Sequence, residues 1–173
     1  MRYLPSPYYN DRPLNMAIDL IVLHAMSLPA GNFDMTHIEG LFLGTLDITA
    51  HPSFDELKNM QVSAHFVIDR QGHVTQFVAC DKRAWHAGES CWQGREHCND
   101  YAIGIEIIGD ELRPFTAMQY QETARLCRTL IEKYPKIRQN RIVGHQDIAP
   151  YRKWDPGKQW DWQLFRDMLN NAE

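Results

Sequence analysis

The fold of this 173-residue chain is decided by the stretch DLIVLH, residues 19–24. Residues 20–23 form an unbroken run of β-favouring apolar side chains, which is typical of a strand buried on both faces. His24 follows at the carboxyl end of this run, where the ligand sites of α/β proteins commonly open. The stretch therefore predicts a buried strand that ends in a candidate functional histidine.

A second buried strand is predicted over AIGIEII, residues 102–108. Side chains alternate between the two faces of a strand, so Glu106 shares one face with Gly104 and Ile108, and three isoleucines occupy the other. Burying a carboxylate is costly unless it is paired or belongs to a charged site. Two interpretations of Glu106 follow, a structural salt bridge to an arginine or a catalytic carboxylate.

Periodicity and turn residues predict an α/β fold, a single domain over residues 1–173 with a central mixed β-sheet flanked by helices. A capping box of Thr116 and Gln119 predicts the start of the clearest helix, and Asp161 predicts the N-cap of the last helix. The other predicted elements are hairpin strands over 64–68 and 74–78 and helical segments over 36–43 and 53–60. The clearest helix, 116–134, should bury a stripe of Tyr120, Ala124, Cys127, Ile131 and Tyr134.

Composition narrows the class of protein. With 44% hydrophobic residues, the chain can bury one sizeable core but is short for two independent domains. Its 18 basic and 22 acidic side chains leave a formal charge of -4 without a basic cluster, which argues against a nucleic-acid partner. The chain shows no signal-peptide apolar region, no membrane-length apolar run and no CxxC spacing among its four cysteines. We therefore expect a cytoplasmic protein with reduced thiols, no membrane partner and no obligatory protein partner.

Polar side chains concentrate in the loop GHQDIAPYRKWDPG, residues 144–157. This loop offers His145, Asp147, Lys153 and Asp155 as chemically useful groups. Lys153 and Asp155 would point the same way along an extended backbone, whereas His145 and Asp155 can meet only if the loop folds back. The two prolines of the loop lower the entropic cost of such a fold. Alone, a histidine and an aspartate here are ordinary loop residues.

Together with His24, the loop supplies the ligands of a metal site. Two imidazoles and one carboxylate are a standard three-ligand set for catalytic zinc, which leaves one position open. Such a site needs a proton acceptor and a group that stabilises a developing oxyanion, and Glu106 and Lys153 match these two tasks. The chain contains neither the HExxH motif of common metalloproteases nor the GxSxG motif of serine hydrolases.

Three further residues are candidates for lining a substrate cleft. His65 shares a predicted strand face with Val67, and His86 follows Trp85 in the loop RAWHAG. Each histidine either contacts substrate or satisfies a local hydrogen bond. The indole of Trp85 either stacks on a sugar ring or packs against other aromatic side chains.

Several motifs agree in order and spacing with one known family over nearly the whole chain. They are LPAGNF, HPSFDEL, VSAHFVI, VACDKRAWHAG, QGREHCNDYAIGIEIIG and GHQDIAPYRKWDPG. In these motifs the chain resembles the zinc-dependent N-acetylmuramoyl-L-alanine amidases, a family shared with certain phage lysozymes and the peptidoglycan-recognition proteins. The resemblance is to the cytoplasmic members that recycle anhydromuropeptides. It implies an amidase fold like that of the peptidoglycan-recognition proteins.

The resemblance also assigns roles to residues of the site. It implies that His24, His145 and Asp155 bind zinc, and that Glu106 and Lys153 are catalytic. The implied reaction is hydrolysis of the amide between the lactyl group of (1,6-anhydro-)N-acetylmuramic acid and L-alanine of the stem peptide. The implied partner is therefore a small muropeptide.

The chain departs from the family pattern at three positions. It has Ala25 where asparagine is common, and Gln61 and His97 where arginines are common. Because the resemblance implies that those arginines hold the acidic stem peptide, we expect an altered stem-peptide preference, with Arg95 as a partial substitute. The substrate-binding residues predicted are therefore His65, Trp85, His86 and Arg95.

A non-catalytic muropeptide-binding module is the alternative function, because the wider family contains members that bind peptidoglycan without cutting it. Such modules typically lack part of the ligand set. The complete set of ligand and catalytic positions favours an enzyme in this chain.

Overall fold

A six-stranded mixed sheet forms the centre of the computed structural model, which describes residues 1–171. Two small two-stranded sheets lie beside it. In chain order the strands are β1 (Arg2–Tyr3), β2 (Tyr9–Asp11), β3 (Leu20–Met26), β4 (Phe66–Ile68), β5 (Val74–Gln76), β6 (Lys82–Ala84), β7 (Cys91–Trp92), β8 (Arg95–Glu96), β9 (Ala102–Ile108) and β10 (Ile142–Gly144).

The order of the central sheet is β1-β5-β4-β9-β3-β10. Strands β4, β9, β3 and β10 run parallel, and β5 is antiparallel to β4. The two seven-residue strands β3 and β9 therefore pair in the interior of the sheet, as their apolar sequences predict. Their register places His24 directly beside Glu106.

The described residues also form four α-helices and three 3₁₀ turns. The helices are α1 (Met35–Leu43), α2 (Ala117–Lys133), α3 (His145–Ile148) and α4 (Trp162–Asn170), and the 3₁₀ turns are Pro52–Leu57, Cys98–Asp100 and Gln139–Arg141. Thr116 caps α2 through the predicted capping box with Gln119. Asp161 caps α4, accepting hydrogen bonds from two backbone N–H groups of its first turn. Both sequence predictions of helix starts are confirmed.

Alternate residues of β3 and β9 divide the sheet into two faces. We call the first the packing face; it consists of Ile21, Leu23, Ala25, Ile103, Ile105 and Ile107, and α2 and α4 cover it. The predicted stripe of α2 packs into the same cluster. In α4, Phe165 and Leu169 are buried there, whereas Leu164 is exposed. The prediction that helices flank a mixed sheet is therefore confirmed.

The opposite face carries polar groups between two smaller apolar clusters. We call it the site face; it consists of Leu20, Val22, His24, Ala102, Gly104, Glu106 and Ile108. Its amino-terminal end packs in one cluster with Tyr101 and Ile148, and Ile108 packs in another with residues of α1. His24 and Glu106 lie between the two clusters.

Several local predictions needed correction. The hairpin strands are shorter than predicted, although Gly72 takes the expected positive φ of 84° in the connection. Residues 52–57 form a 3₁₀ turn in place of the helical segment predicted over 53–60. The six strands β1, β2, β6, β7, β8 and β10 were not predicted, because two or three residues carry too little periodicity to detect. Within residues 1–171, every helix is too short or too polar to cross a lipid bilayer.

Candidate active site

Three buried side chains bring their donor atoms together beside the site face. His24 Nδ1 lies 2.9 Å from His145 Nδ1 and 3.3 Å from Asp155 Oδ2. His145 Nδ1 lies 3.1 Å from the same Asp155 oxygen. Two nitrogens and one carboxylate oxygen thus form a nearly equilateral triangle. Ligands of a tetrahedral zinc ion lie roughly 3.3 Å apart, given metal–ligand distances of about 2.0–2.1 Å.

The sheet brings the two histidines together. Strand β10 pairs in parallel with β3, with Gly144 opposite Leu23, so the next residues of the two strands are His145 and His24. A helical turn, α3, begins at His145 where an extended loop was expected. Gly144 is required at this bend, because a Cβ atom there would lie 2.8 Å from Pro156 Cδ.

The loop after α3 folds back, as a shared site requires. The backbone N–H of Gln146 donates to the carbonyl oxygen of Asp155 at 2.8 Å. This bond holds the loop in a conformation in which the Asp155 carboxylate lies beside the two histidines. The other acidic residue of the loop, Asp147, has a different task, because its Oδ2 accepts the N–H of Gly144 at 2.7 Å and caps α3.

The protonation states of the three side chains suit a metal ion. His145 Nε2 lies 3.1 Å from the carbonyl oxygen of Ala87, which can only accept, so the proton is on Nε2 and the lone pair of Nδ1 is available to bind a metal. Burial lowers the pKa of His24 to about 4, so this imidazole is neutral at neutral pH. Burial alone would raise the pKa of Asp155, but the neighbouring imidazoles of His145 and His24 outweigh it and hold that pKa below its usual range. Metal ligands need these states, and the group therefore has the chemistry to hold a metal ion.

Glu106 lies next to this group and not against an arginine. Its Oε1 is 3.9 Å from His24 Nδ1, and within residues 1–171 it makes no ion pair with an arginine. The structural salt bridge considered from the sequence is therefore wrong. Burial, and then the negative charge of Asp155, raise the pKa of Glu106 well above its usual value. Its Oε2 is buried without a hydrogen-bonding partner among the described residues.

Lys153 brings a positive charge to the same place. Its backbone N–H donates to the carbonyl of Ala149 at 2.9 Å, which fixes the turn after α3. The side chain is half-buried. Its positive charge lowers the pKa values of both His24 and Glu106. Burial is the larger effect on each residue; it also lowers the pKa of His24 but raises that of Glu106. The structure therefore brings together the five residues that the sequence singled out.

His86 lies behind His24, against the ring nitrogen that does not face Asp155 and His145. Its Nδ1 is 3.0 Å from His24 Nε2, and the two rings meet edge to face with centroids 5.0 Å apart. Gly104 makes room for it, because a Cβ atom on Gly104 would overlap His86 Cγ. Asn99 Oδ1 accepts the backbone N–H groups of His86 and Ala87 at 3.1 and 2.8 Å.

His65 is completely buried, and both of its ring nitrogens are used inside the protein. Nδ1 accepts the N–H of Gly104 at 3.0 Å, so Nε2 carries the proton and donates to the carbonyl of Lys82 at 3.0 Å. Burial, with the nearby charge of Arg12, lowers its pKa to about 3. This geometry does not favour the predicted contact between His65 and substrate, because no ring atom is free or accessible.

Trp85 and Arg95 differ in how well they suit the predicted substrate contacts. Trp85 is half-buried, precedes His86, and stacks on Tyr8 with ring centroids 6.2 Å apart. Arg95 pairs with Asp19 at 2.7 Å and lies over the ring of Tyr101. Asp19 is five residues before His24, roughly 16 Å along an extended strand. The position of Arg95 therefore does not support its predicted role as a substitute for the missing arginines.

The three departures from the family pattern lie outside the ligand triangle. The side chain of Ala25 packs on the packing face, and only its N–H approaches the site, 3.4 Å from Asp155 Oδ2. Gln61 is exposed. His97 is also exposed and takes a positive φ of 58°. None of the three disturbs the five central residues.

Comparison with known proteins agrees with this geometry. A family model described as N-acetylmuramoyl-L-alanine amidase matches residues 14–158. The chain belongs to this amidase family. A 1,6-anhydro-N-acetylmuramyl-L-alanine amidase AmpD from Escherichia coli strain K12 is 49% identical over 169 residues, which cover 98% of this chain and 92% of the relative. The AmpD of Enterobacter cloacae is 48% identical over 171 residues, or 99% and 91% of the two chains.

Solved structures of family members have the same fold. The crystal structure of a selenomethionine derivative of AmpD superimposes with a TM-score of 0.94 at 48% identity, covering 97% of this chain and 93% of that one. A more distant amidase, AmiD from E. coli, was solved with the substrate anhydro-N-acetylmuramic acid-L-Ala-D-γ-Glu-L-Lys. Its TM-score is 0.67 at 28% identity, over 93% of this chain and 62% of that chain.

Sequence reasoning missed three residues that support the site. Arg12 is half-buried and donates to the carbonyls of Cys80, Asn99, Asp100 and Ala102, which ties its own segment to two others near His65. Asn99 holds the backbone of the loop that carries His86. Neither residue has a local signal, since its partners are distant in sequence. Gly104 did have one, because a glycine within an apolar strand often marks a close approach.

Proposed function

We propose that this protein is a zinc-dependent N-acetylmuramoyl-L-alanine amidase that hydrolyses the bond between the lactyl group of 1,6-anhydro-N-acetylmuramic acid and L-alanine. The observation that carries the proposal is the buried triangle of His24, His145 and Asp155 with Glu106 and Lys153 beside it. The names of the relatives and the muropeptide bound by AmiD support this substrate class. A place in peptidoglycan recycling follows from the same names.

Zinc is the metal that we propose for the triangle. Two imidazole nitrogens and one carboxylate oxygen, with an open fourth position, are characteristic of catalytic zinc, whereas magnesium and calcium prefer oxygen ligands. When bound, zinc would act as a Lewis acid that polarises a carbonyl and lowers the pKa of water. His24, His145 and Asp155 would hold it.

Glu106 is the proposed proton carrier. Hydrolysis adds water to the lactyl carbonyl carbon and breaks its bond to the alanine nitrogen. Glu106 takes the proton that water loses and later gives a proton to the departing amine. A carboxylate with a raised pKa suits both steps, because it holds a proton more readily than an exposed carboxylate. Glu106 Oε2, which has no hydrogen-bonding partner within residues 1–171, is available to accept it.

Lys153 is the proposed stabiliser of negative charge on the carbonyl oxygen. Its charge acts on both His24 and Glu106, which supports this role. A fixed cation in a site that excludes water stabilises a developing oxyanion more than the same cation in bulk water.

The outer contacts of the substrate are a further part of the proposal. Trp85 remains the candidate for stacking on the sugar ring, because it is half-buried and adjoins His86. The exposed Gln61 and His97 lack the fixed charge of arginine, and we propose an altered stem-peptide preference for that reason. A cytoplasmic location also remains a proposal, and cell fractionation with an antibody to the protein tests it.

The experiment that tests the function measures zinc and products together. The metal content of the purified protein is measured first. The protein is then incubated with anhydromuramoyl tripeptide or with intact peptidoglycan, and the products are identified by mass spectrometry. We expect one zinc ion per chain and release of the free tripeptide. Asp155→Ala should lose both zinc and activity, whereas Lys153→Ala should keep zinc and lose activity.

Asp161→Ala is the matched control, since it removes an aspartate that caps α4 far from the triangle. It should retain zinc and activity. Substrate binding without cleavage would identify the protein as a binding module and overturn the proposal. Cleavage that survives Asp155→Ala would overturn the proposed site.

A further inference from the structure

The Nε2 atoms of both proposed histidine ligands, His24 and His145, contact the same short loop. His24 Nε2 lies 3.0 Å from His86 Nδ1, and His145 Nε2 lies 3.1 Å from the carbonyl oxygen of Ala87. The two contacts come from consecutive residues. A metal-binding histidine depends on the partner of its other nitrogen, which fixes the tautomer and the orientation of the ring.

The directions of these hydrogen bonds follow from the chemistry of the atoms. A carbonyl oxygen only accepts, so His145 carries its proton on Nε2 and leaves the lone pair of Nδ1, which lies beside Asp155 Oδ2, available to the proposed metal. For His24 to present Nδ1 as well, its proton must also lie on Nε2 and be donated to His86 Nδ1. His86 then holds its own proton on Nε2, which is buried and meets no partner among residues 1–171.

The loop is fixed from two sides. Asn99 Oδ1 accepts both the His86 and the Ala87 backbone N–H groups. Arg152 donates to the Ala87 carbonyl at 2.8 Å. The bare backbone of Gly104 supports the imidazole of His86, since a side chain there would overlap it. Such fixed partners reduce the freedom of the acceptors that face the two ligands.

We infer that the segment His86–Ala87, held by Asn99, positions the metal ligands and sets the metal affinity of the site. His86 acts through Nδ1 on His24, and Ala87 acts through its carbonyl on His145. His86 is therefore a positioning residue, and its role differs from the substrate contact predicted from the sequence. The inference rests on the proposed metal site.

The Nδ1 atom of His86 can be tested separately from the rest of its ring. His86→Phe keeps an aromatic ring against Gly104 but removes the acceptor. His86→Asn keeps an acceptor at the position of Nδ1 and removes Nε2, which has no partner to lose among the described residues. The two variants should therefore differ in zinc affinity, although both change the same side chain.

The measurement is zinc affinity, by competition with a chromophoric chelator, together with the rise in Tm that zinc produces. We expect His86→Phe to bind zinc about 10–100-fold more weakly and Asn99→Ala to bind it about tenfold more weakly. His86→Asn should stay within a few-fold of the natural protein. Gln119→Ala is the control for lost stability, because this buried side chain bonds Ile108 and Thr116 on another part of the fold.

Each outcome decides a separate question. If His86→Phe binds zinc as tightly as the natural protein, the inference is overturned. It is also overturned if His86→Asn or Gln119→Ala weakens zinc binding as much as His86→Phe does. Failure of the natural protein to bind zinc, or unchanged binding by Asp155→Ala, overturns the proposed function itself. Normal zinc binding by the natural protein with no effect of His86→Phe overturns only the positioning role.

Discussion

The packing face and the site face are made by the same two strands but are stabilised in different ways. On the packing face, isoleucines of β3 and β9 meet the apolar stripe of α2, and no polar partner is needed. On the site face, alternate residues of the same strands include Glu106 and His24, and His24 takes a partner, His145, from a distant part of the sequence. The first face resembles an ordinary core, whereas the second depends on precise long-range placement.

Of the variants that test the difference between the two faces, Glu106→Gln on the site face should have the largest effect. We expect the rate to fall by about 10²–10⁴ because the proton carrier is lost. The free energy of unfolding should not fall, since Oε2 has no partner among the described residues and a buried charge is removed. Rates, zinc content and urea denaturation are measured on one preparation. A large loss of stability would show that Glu106 serves the fold.

The neighbouring residue on the packing face should behave in the opposite way. Ile105→Ala leaves a cavity in the main core and should lower the free energy of unfolding by about 2–5 kcal/mol. Ile105→Val, the milder control, should cost about 0.5–1.5 kcal/mol. Both should bind one zinc ion while folded. If Ile105→Val loses zinc, the two faces are more strongly coupled than their contacts indicate.

Gly104→Ala tests the close contact between the backbone of Gly104, on the site face, and the imidazole ring of His86. The added methyl would overlap His86 Cγ and force the ring to move. We expect a loss of about 1–3 kcal/mol in the free energy of unfolding, with weaker zinc binding. Denaturation and chelator competition measure the two effects. A stability loss without any change in zinc affinity would separate Gly104 from the site.

The smallest expected effect belongs to the cap of α2, far from the polar groups. Thr116→Ala removes a side-chain acceptor from the Gln119 N–H and should cost about 1 kcal/mol. Thr116→Ser retains the hydroxyl and should cost less. Neither change should alter zinc affinity or rate, because α2 covers only the packing face. Thermal denaturation with parallel assays checks this.

Local patterns in the sequence were sufficient for the elements with a strong period. The apolar run of β3, the alternation of β9 and the capping box of α2 are all visible within a few residues. The face on which Glu106 lies follows from alternation alone. The short strands and the helical turn at His145 were missed, because tertiary contacts and not local propensity specify them.

The site was predictable in its members more than in its arrangement. The resemblance implies that Asp155 is a ligand, and the structure shows that the other aspartate of the loop, Asp147, caps α3. The sequence predicts His65 and His86 as residues of the substrate cleft, but both side chains are buried inside the protein. Their roles depend on hydrogen bonds to Gly104 and His24, which no local pattern reveals.

The sequence by itself determined the two central strands, the faces of their side chains and the residue types of a metal hydrolase, because periodicity and donor chemistry are local properties. Only the tertiary structure decided which atoms meet. His24 is separated from His145 by 121 residues and from His86 by 62. Contacts at such separation form only when the parallel sheet aligns β3 with β10 and the loops close over it. The ligand triangle and its supporting loop are therefore properties of the folded chain.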